Sequence, residues 1–482
     1  MATHHDLIII GTGSGNSLVT AELEGLDIAI VEEGTFGGTC LNVGCIPTKM
    51  LVLPADRVLE SREAERLGVS IPRDVSVDWP AIRDRIFTSR IDPIAAGGER
   101  YRRSQDSITV YAATARFMGE RHLALTTGEE ITADRVVVAA GSRADLLDVE
   151  GLDKVDPARG VHTSDTVMRM DELPRRMAIV GGGFVASEFA HVFGALGVEV
   201  TLIQRSSALL RLEDAEVSRR YTELARGRHD VRLDSVVSSA ARSDDGAWTL
   251  GLTGLDGDTD VEADAVLIAV GRSPNGPRLR VEAGGIEVDD RGVVVVDAQQ
   301  RTTAEGVWAL GDVANSWQLK HVSNAEARVV AHNLAVDTGR LAGRPIETDH
   351  RFVPHAVFGH PQIAAFGPTR AELDEAGTPY VDYTQAFGDT AYGWALEDTT
   401  GILLVCADPD TGMILSAHCM GPNASTLIQP LIQAASLGQN AREVARGQYW
   451  IHPALSEVVE NALLGLDLDL DLDLDLEPDL PA

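Results

Sequence analysis

Leu7-Ile-Ile-Ile10-Gly11-Thr-Gly13-Ser-Gly15-Asn16 and Met177-Ala-Ile-Val180-Gly181-Gly-Gly183-Phe-Val-Ala186 decide the fold. Each is a short apolar run that stops at a glycine-rich turn. The first leads through a short helical stretch to Ile28-Ala-Ile-Val31 and Glu32; the second leads through a helix reaching Leu196 to a strand from Val198 to Ile203. Both read as β-turn-α-β units of about 30 residues, in which a pyrophosphate rests on the turn against a helix N-terminus. One such turn is weak evidence, because plain βα connections produce many. Two in one chain, each between a strand and a helix, specify a pair of dinucleotide sites. The first turn has Asn16 where Gly or Ala usually lets helix and strand pack closely, and Gly15 is expected to supply that room.

Further apolar strands end at Val136–Ala140 before Gly141 and at Ala265–Val270 before Gly271. A four-valine run, 293–296, precedes Trp308-Ala-Leu-Gly311-Asp312. From about Asp349 to Leu466 the pattern becomes an antiparallel mix of strands and two helices without a glycine-rich turn, a third, α+β domain. Beyond it, residues 467–482 alternate Leu and Asp; aspartates sharing one face of a strand would repel, so a solvated, disordered tail is expected.

Composition narrows the function. The chain has 482 residues, about three domains' worth, with 44% apolar and 24% charged residues, as in a soluble globular enzyme. With 41 Lys+Arg against 73 Asp+Glu the net charge is −32, which repels phosphate backbones and anionic lipid heads, so neither nucleic acid nor membrane is an expected partner. No apolar run reaches the ~18–20 residues of a bilayer span, and the start has no basic region of a secretory signal. Four cysteines make no disulfide scaffold, and a cytoplasmic location is expected.

Two of those cysteines lie in Gly37-Gly-Thr-Cys40-Leu-Asn-Val-Gly-Cys45-Ile-Pro-Thr-Lys49. In a regular helix residues i and i+5 have Cα atoms about 8.6 Å apart, beyond the roughly 4.4–6.8 Å of a disulfide. A bond therefore requires a distorted first turn, which Asn42 and Gly44 permit. A strained, accessible pair at a helix N-terminus is easily reduced, and the dipole there favours a thiolate. The other readings are two independent buried thiols or half of a metal site; a metal needs further ligands, and no second cysteine pair or nearby histidine offers them, so no metal is expected. Cys406 and Cys419 stand in apolar, strand-like contexts and read as core.

The stretch resembles the redox signature of the class I pyridine nucleotide-disulfide oxidoreductases, and the resemblance extends over about residues 6–465 with the motifs in order. It implies an α/β fold of two Rossmann-like dinucleotide-binding domains plus a C-terminal α+β dimerisation domain. The expected boundaries are 1–150 and 273–347 for FAD, 151–272 for NADPH, 348–466 for dimerisation and 467–482 for the tail. FAD is expected at Gly11, Gly13, Gly15, Glu32, Gly38, Thr39, Lys49, Gly141, Gly311 and Asp312. The nicotinamide is expected at Gly181, Gly183, Phe184, Ala186, Glu188 and Gly271, with Glu188 paired to Lys49 beside the flavin. The implied chemistry is hydride transfer from NADPH to FAD, then reduction of Cys40–Cys45 through Cys45, then attack of Cys40 on a substrate disulfide.

NAD-specific members carry an acid after the second strand of the second unit; this chain has Gln204, then Arg205 and Arg211. Guanidinium groups suit a 2′-phosphate, so NADPH is expected. In His452-Pro-Ala-Leu-Ser-Glu457 the proline pushes His452 out of helical geometry while Glu457 can reach back to orient its ring as a general acid/base. It resembles the family's His–Glu dyad, which reaches the cysteines of the other subunit and so implies a homodimer with a shared active site. Stretches outside the redox motifs, among them Arg90-Ile-Asp-Pro-Ile94, Leu319-Lys-His-Val322 and Ala391-Tyr-Gly-Trp-Ala395, resemble the branch acting on a sugar–cyclitol disulfide. The expected substrate is accordingly a low-molecular-weight disulfide. The alternatives are a glutathione-type reductase, a lipoamide dehydrogenase, or a non-catalytic flavin-binding scaffold.

Overall fold

A computed structural model describes residues 2–71, 75–255 and 257–468. The first unbroken apolar run forms strand β1, Thr3–Ile10, which pairs in parallel with β2, Ile28–Glu32. Two helices come next, α1 (Gly38–Asn42) and α2 (Cys45–Glu63). Strands β3, Ile108–Ala112, and β4, Glu130–Val138, flank the first pair in the order β3-β2-β1-β4, and an antiparallel hairpin, Ala115–Gly119 with His122–Leu125, extends the edge. Leu7, Ile9, Ile28 and Ile30 enter one core, and Ile8, Ile10, Ala29 and Val31 the other. Burial on both faces is why these strands read as continuous rather than alternating apolar runs.

The second unit repeats this plan. Strand β5, Arg176–Val180, is followed by helix α3, Phe184–Ala195, and by β6, Glu199–Ile203. Strand β7, Ala265–Ile268, pairs in parallel with β5 on its other side. The chain then returns to the first sheet: β8, Val307–Ala309, pairs in parallel with β4, and helix α4, Lys320–Asp337, packs beneath.

The third domain is a five-stranded antiparallel sheet in the order Pro354–Val357, Ile363–Phe366, Ile414–Met420, Ile402–Ala407, Val381–Ala386. Helix α5, Ser456–Leu464, contributes Val458, Val459, Ala462 and Leu463 to its core. The chain forms two compact units, one of residues 2–209 with Ala225–His350 and one of Leu210–Leu224 with residues 351–468. In the second, Arg370 holds the almost fully buried Asp214 at 2.8 Å.

The α/β class with two dinucleotide-binding folds and an α+β third domain is as expected; three local expectations differ. The helical stretch after the first turn is two 3-10 pieces, Ser14–Leu18 and Ala21–Leu23. Gly, Asn, Ser, Val and Thr dominate that stretch and are poor helix formers, and Arg102 takes both the side chain and the carbonyl of Asn16. The valine run 293–296 makes only isolated bridges, Val288 to Val294 and Val296 to Thr302, because Asp289 caps the turn before it by accepting from Arg291 and Val293 N–H groups. The third domain carries several helices of four to nine residues rather than two. Three of the short ones start on their own cap, at Thr369, Thr390 and Asn440. Beyond Leu468, the expected tail lies outside the described residues.

Candidate active site

The glycine-rich turns have matching backbone geometry. Gly11 N–H donates to Val31 O and Gly181 N–H to Ile203 O, both at 2.8 Å. Both glycines have positive φ, +100° and +129°, and a Cβ would lie 2.3 Å from Ala139 O in the first and 2.2 Å from Ala269 O in the second. No other residue fits there. Gly15 meets its expectation: a Cβ would lie 2.9 Å from Ala139 Cβ and 3.1 Å from Ile9 Cγ2.

Onto the first turn packs the cysteine segment. Gly38, at φ +70°, brings its backbone so close that a Cβ would sit 2.5 Å from Gly13 Cα. The distortion required between the cysteines falls at Val43-Gly44, where α1 ends and α2 begins; a Cβ on Gly44 would lie 2.9 Å from Thr39 O. Asn42 is buried and ties the bend together, its amide donating to Thr35, Phe36 and Gly38 carbonyls at 3.0–3.1 Å.

Across this bend the side chains of Cys40 and Cys45 come within hydrogen-bond reach of each other. The Cys45 S–H donates to Cys40 and holds the Cys40 pKa down to about 7; burial opposes this, and the Lys320 charge assists. Cys45 moves strongly the other way, because it is the donor, is desolvated and faces the Cys40 charge. The shared hydrogen bond and the nearby Lys320 favour a thiolate at Cys40, with Cys45 as the proton donor.

Lys49 stands one helical turn after Cys45 on α2, and its Nζ donates to Glu188 Oε1 on α3 at 3.2 Å. Burial pulls the Lys49 pKa down and Glu188 partly restores it. Two turns along α2 from Lys49, Asp56 pairs with the buried His191 of α3 at 2.8 Å, a second tie between the same helices.

A cleft of about 430 Å³ opens over the first turn, lined by Gly13, Glu32, Cys40, Cys45, Asp312 and Lys320 among others. Glu32 accepts from Thr12 N–H and Oγ1 at 2.9 and 2.5 Å and from Gly34 N–H at 2.9 Å, which fixes its carboxylate at the end of β2. Asp312 accepts from Ser142 Oγ at 2.7 Å, and Arg272 Nε donates to that same oxygen at 2.9 Å. The buried Glu326 accepts from Gly311 N–H at 2.7 Å and from Asn315, so it shapes the loop that carries Asp312; burial pushes its pKa up. Thr39 and Gly141 also line the cleft. Side-chain-free glycines at the turn and a fixed acid at the end of β2 suit a dinucleotide whose diphosphate meets backbone N–H groups and whose ribose meets Glu32. FAD fits this donor set.

At the second turn Gly183 leads into α3, Phe184 is 46% exposed and Ala186 is buried. A Cβ on Gly182 would meet Gln204 at 2.7 Å, and one on Gly271, Asp145 Oδ2 at 2.9 Å. Gln204 follows β6 and accepts from Arg205 N–H at 3.0 Å, while the Arg205 side chain is exposed. Arg211 is exposed too and belongs to the second compact unit.

That unit also holds His452, whose Nδ1 lies 2.7 Å from Glu457 Oε1 at the start of α5. The imidazole is 68% exposed and the carboxylate 17%, so the acid orients a ring that faces outward. Trp394 and Tyr449 in the same unit are exposed as well. Sequence reading missed Thr12, Ser142, Arg272, Lys320 and Glu326. Of these, only Lys320 carried a signal, as one of just three lysines in an acidic chain. Among the described residues no helix is long and apolar enough to cross a membrane, and no cluster could hold a metal ion.

Comparison with known proteins gives the same picture. The chain is 49% identical to a mycothione reductase of Mycobacterium tuberculosis over 96% of its own length and 99% of the relative's. It is 33% identical to a dihydrolipoyl dehydrogenase of Haloferax volcanii over 96% and 97%. Its fold matches that of an HOCl-induced flavoprotein disulfide reductase of Escherichia coli with a TM-score of 0.81 at 26% identity, covering 95% of this chain and 99% of that one. Residues 353–463 match the family model "Pyridine nucleotide-disulphide oxidoreductase, dimerisation domain", so the chain is built to pair as a homodimer. With residues 5–327 matching "Pyridine nucleotide-disulphide oxidoreductase", a cleft over the first glycine-rich turn and a cysteine pair in its lining, the chain belongs to that family of FAD-dependent, NAD(P)H-linked enzymes acting on disulfides.

Proposed function

We propose that the chain is an NADPH-dependent reductase of mycothione, the disulfide of mycothiol, giving two thiols per turnover. The observation that carries the chemistry is the placement of Cys40 and Cys45 together at the edge of the dinucleotide cleft, with Lys320 in the same wall and the Cys40 pKa held down to about 7. The substrate rests on the mycothione reductase relative and its span over nearly the whole chain. Gln204 and Arg205 in place of an acid support NADPH over NADH, and Arg211 joins them from its sequence position alone.

The reading keeps FAD on segments 1–150 and 273–347, NADPH on 151–272 and dimerisation on 348–466. Gly11, Gly13, Gly15, Gly38, Thr39 and Gly141 would hold the FAD backbone, Glu32 its ribose, and Gly311-Asp312 its ribityl chain. Gly181, Gly183, Ala186 and Gly271 would hold the nicotinamide nucleotide, with Phe184 over the nicotinamide pocket. When bound, the flavin supplies the two-electron link between nicotinamide and sulfur. Lys49, steadied by Glu188, would place a cation beside the flavin ring.

The sulfur steps need only the chain. The Cys40 thiolate attacks one sulfur of the substrate; a Cys40–substrate disulfide forms, the substrate S–S bond breaks, and the leaving thiolate takes a proton from His452. Cys45, its proton passed to His452, attacks Cys40, reforms the Cys40–Cys45 bond and releases the second thiolate for protonation. Glu457 keeps His452 in the tautomer that shuttles these protons. The exposed ring serves the cysteines of the other subunit, so the dimer holds two shared sites.

The test is NADPH oxidation by the purified holoenzyme with mycothiol, glutathione, lipoamide and coenzyme A disulfides, repeated with NADH. Turnover is expected with mycothiol disulfide and NADPH. A preference for another disulfide overturns the substrate, and a preference for NADH the nucleotide.

A further inference from the structure

The chain has three lysines, Lys49, Lys154 and Lys320, against 38 arginines. Two of the three stand at the cysteine site, and only Lys49 has a role so far. Lys320, the first residue of α4, is half-buried in the wall of the cleft, and its Nζ donates to Ser14 Oγ at 3.0 Å. Ser14 is part of the first glycine-rich turn, is 8% exposed, and passes its own proton to Asn324 Oδ1 at 3.1 Å. Ser14 thus spends its one O–H on Asn324 and accepts one of the three ammonium protons.

The two turns lead into different structures. The second opens a 12-residue α-helix, whose dipole stabilises a bound anion; the first opens a five-residue 3-10 piece that ends at Val19 and has no basic residue. The cleft is lined by the acids Glu32, Glu33 and Asp312 as well as by Arg143 and Arg278, the latter paired with Glu33 at 3.4 Å. A diphosphate placed on the first turn lacks the usual helix, and Glu32 stands at its edge. A compact ammonium beside the turn offsets both, and a flat guanidinium fits a crowded turn less well.

We propose that Lys320 is a diphosphate-binding side chain of the FAD site, anchored on Ser14 and neutralising the cofactor where this turn has no α-helix to do so. This rests on the assignment of the cleft to FAD.

The test is the dissociation constant of FAD, measured as fluorescent flavin released from holoenzyme on ultrafiltration at rising KCl. Lys320→Met is expected to weaken FAD binding about 10–100-fold, as for loss of a hydrogen bond to a charged group, and to flatten the salt dependence. Lys320→Arg should stay within about tenfold of the wild type, keeping the charge but not the fit. Lys154→Met, which removes an exposed lysine, should change neither. Should Lys320→Met not fold, Lys320→Gln carries the same expectation. Affinity and salt slope unchanged in the uncharged variants, with or without slower Cys40 alkylation, overturn the proposal. A wild-type protein that holds no flavin fails differently, by removing the cleft assignment itself.

Discussion

Replacing Cys45 by Ala removes the donor that holds the Cys40 pKa near 7, so Cys40 should move back toward the free-thiol value of about 8.5. At pH 7 the thiolate fraction then falls from about one half to about 3%. Each thiolate formed is also more basic; with a Brønsted slope of about 0.45, a shift of about 1.5 units makes it roughly fivefold more nucleophilic. The two effects oppose each other. At pH 7 the variant should be alkylated about threefold more slowly than the wild type, and above pH ~9 about fourfold faster, with the curves crossing near pH ~8.

The assay uses holoenzyme reduced with dithiothreitol and freed of it anaerobically, with iodoacetamide uptake on the Cys40 peptide followed by mass. Cys406 and Cys419 are 0% exposed and contribute no background. The crossing is the diagnostic feature, since general damage to the site would lower the rate at every pH. Parallel profiles with one midpoint would show that Cys45 does not polarise Cys40 and would refute the reasoning.

Three further outcomes are expected from the same geometry. His452→Ala should slow disulfide turnover by about 100-fold or more while leaving NADPH-driven flavin reduction, read by stopped flow, within twofold; equal losses in both half-reactions would contradict an acid/base role confined to sulfur. Replacing Arg205 and Arg211 together by Leu should raise KM for NADPH about tenfold or more and hardly change that for NADH, and equal changes would remove the 2′-phosphate contact. Gly38→Ala meets both a positive φ and Gly13 Cα at 2.5 Å, whereas Gly68→Ala meets a positive φ in open space, so thermal unfolding should show a loss of about 2–4 kcal/mol for the first against about 1 for the second; similar melting temperatures would mean that the cysteine segment can retreat from the turn.

Legible in the sequence are the features that lie close along the chain. Apolar strands buried on both faces announce themselves as runs such as Leu7–Ile10, and a positive-φ glycine at their end is forced by the neighbouring carbonyl. The bend between Cys40 and Cys45 followed from helix geometry once the two sulfurs were taken to bond. The direction of the thiol hydrogen bond did not, because it depends on which sulfur meets the Lys320 charge and which the Glu188 charge, from residues remote in sequence. Asp312 is fixed by Ser142, 170 residues earlier, and Ser14 by Lys320, 306 later. Such polar contacts leave no periodic trace, since one residue at each end suffices.

The two glycine-rich turns share backbone hydrogen bonds, positive-φ glycines and approach to the next strand, yet one is succeeded by an α-helix and the other by 3-10 pieces. Where the helix is kept, the segment can rely on its dipole to receive an anion. Where it is lost, the task falls to side chains from elsewhere, and Arg102 on Asn16 together with Lys320 on Ser14 sit at that place. The 3-10 start after the first turn and the lysine 306 residues away then form one arrangement, in which positive potential missing locally is supplied from a distance.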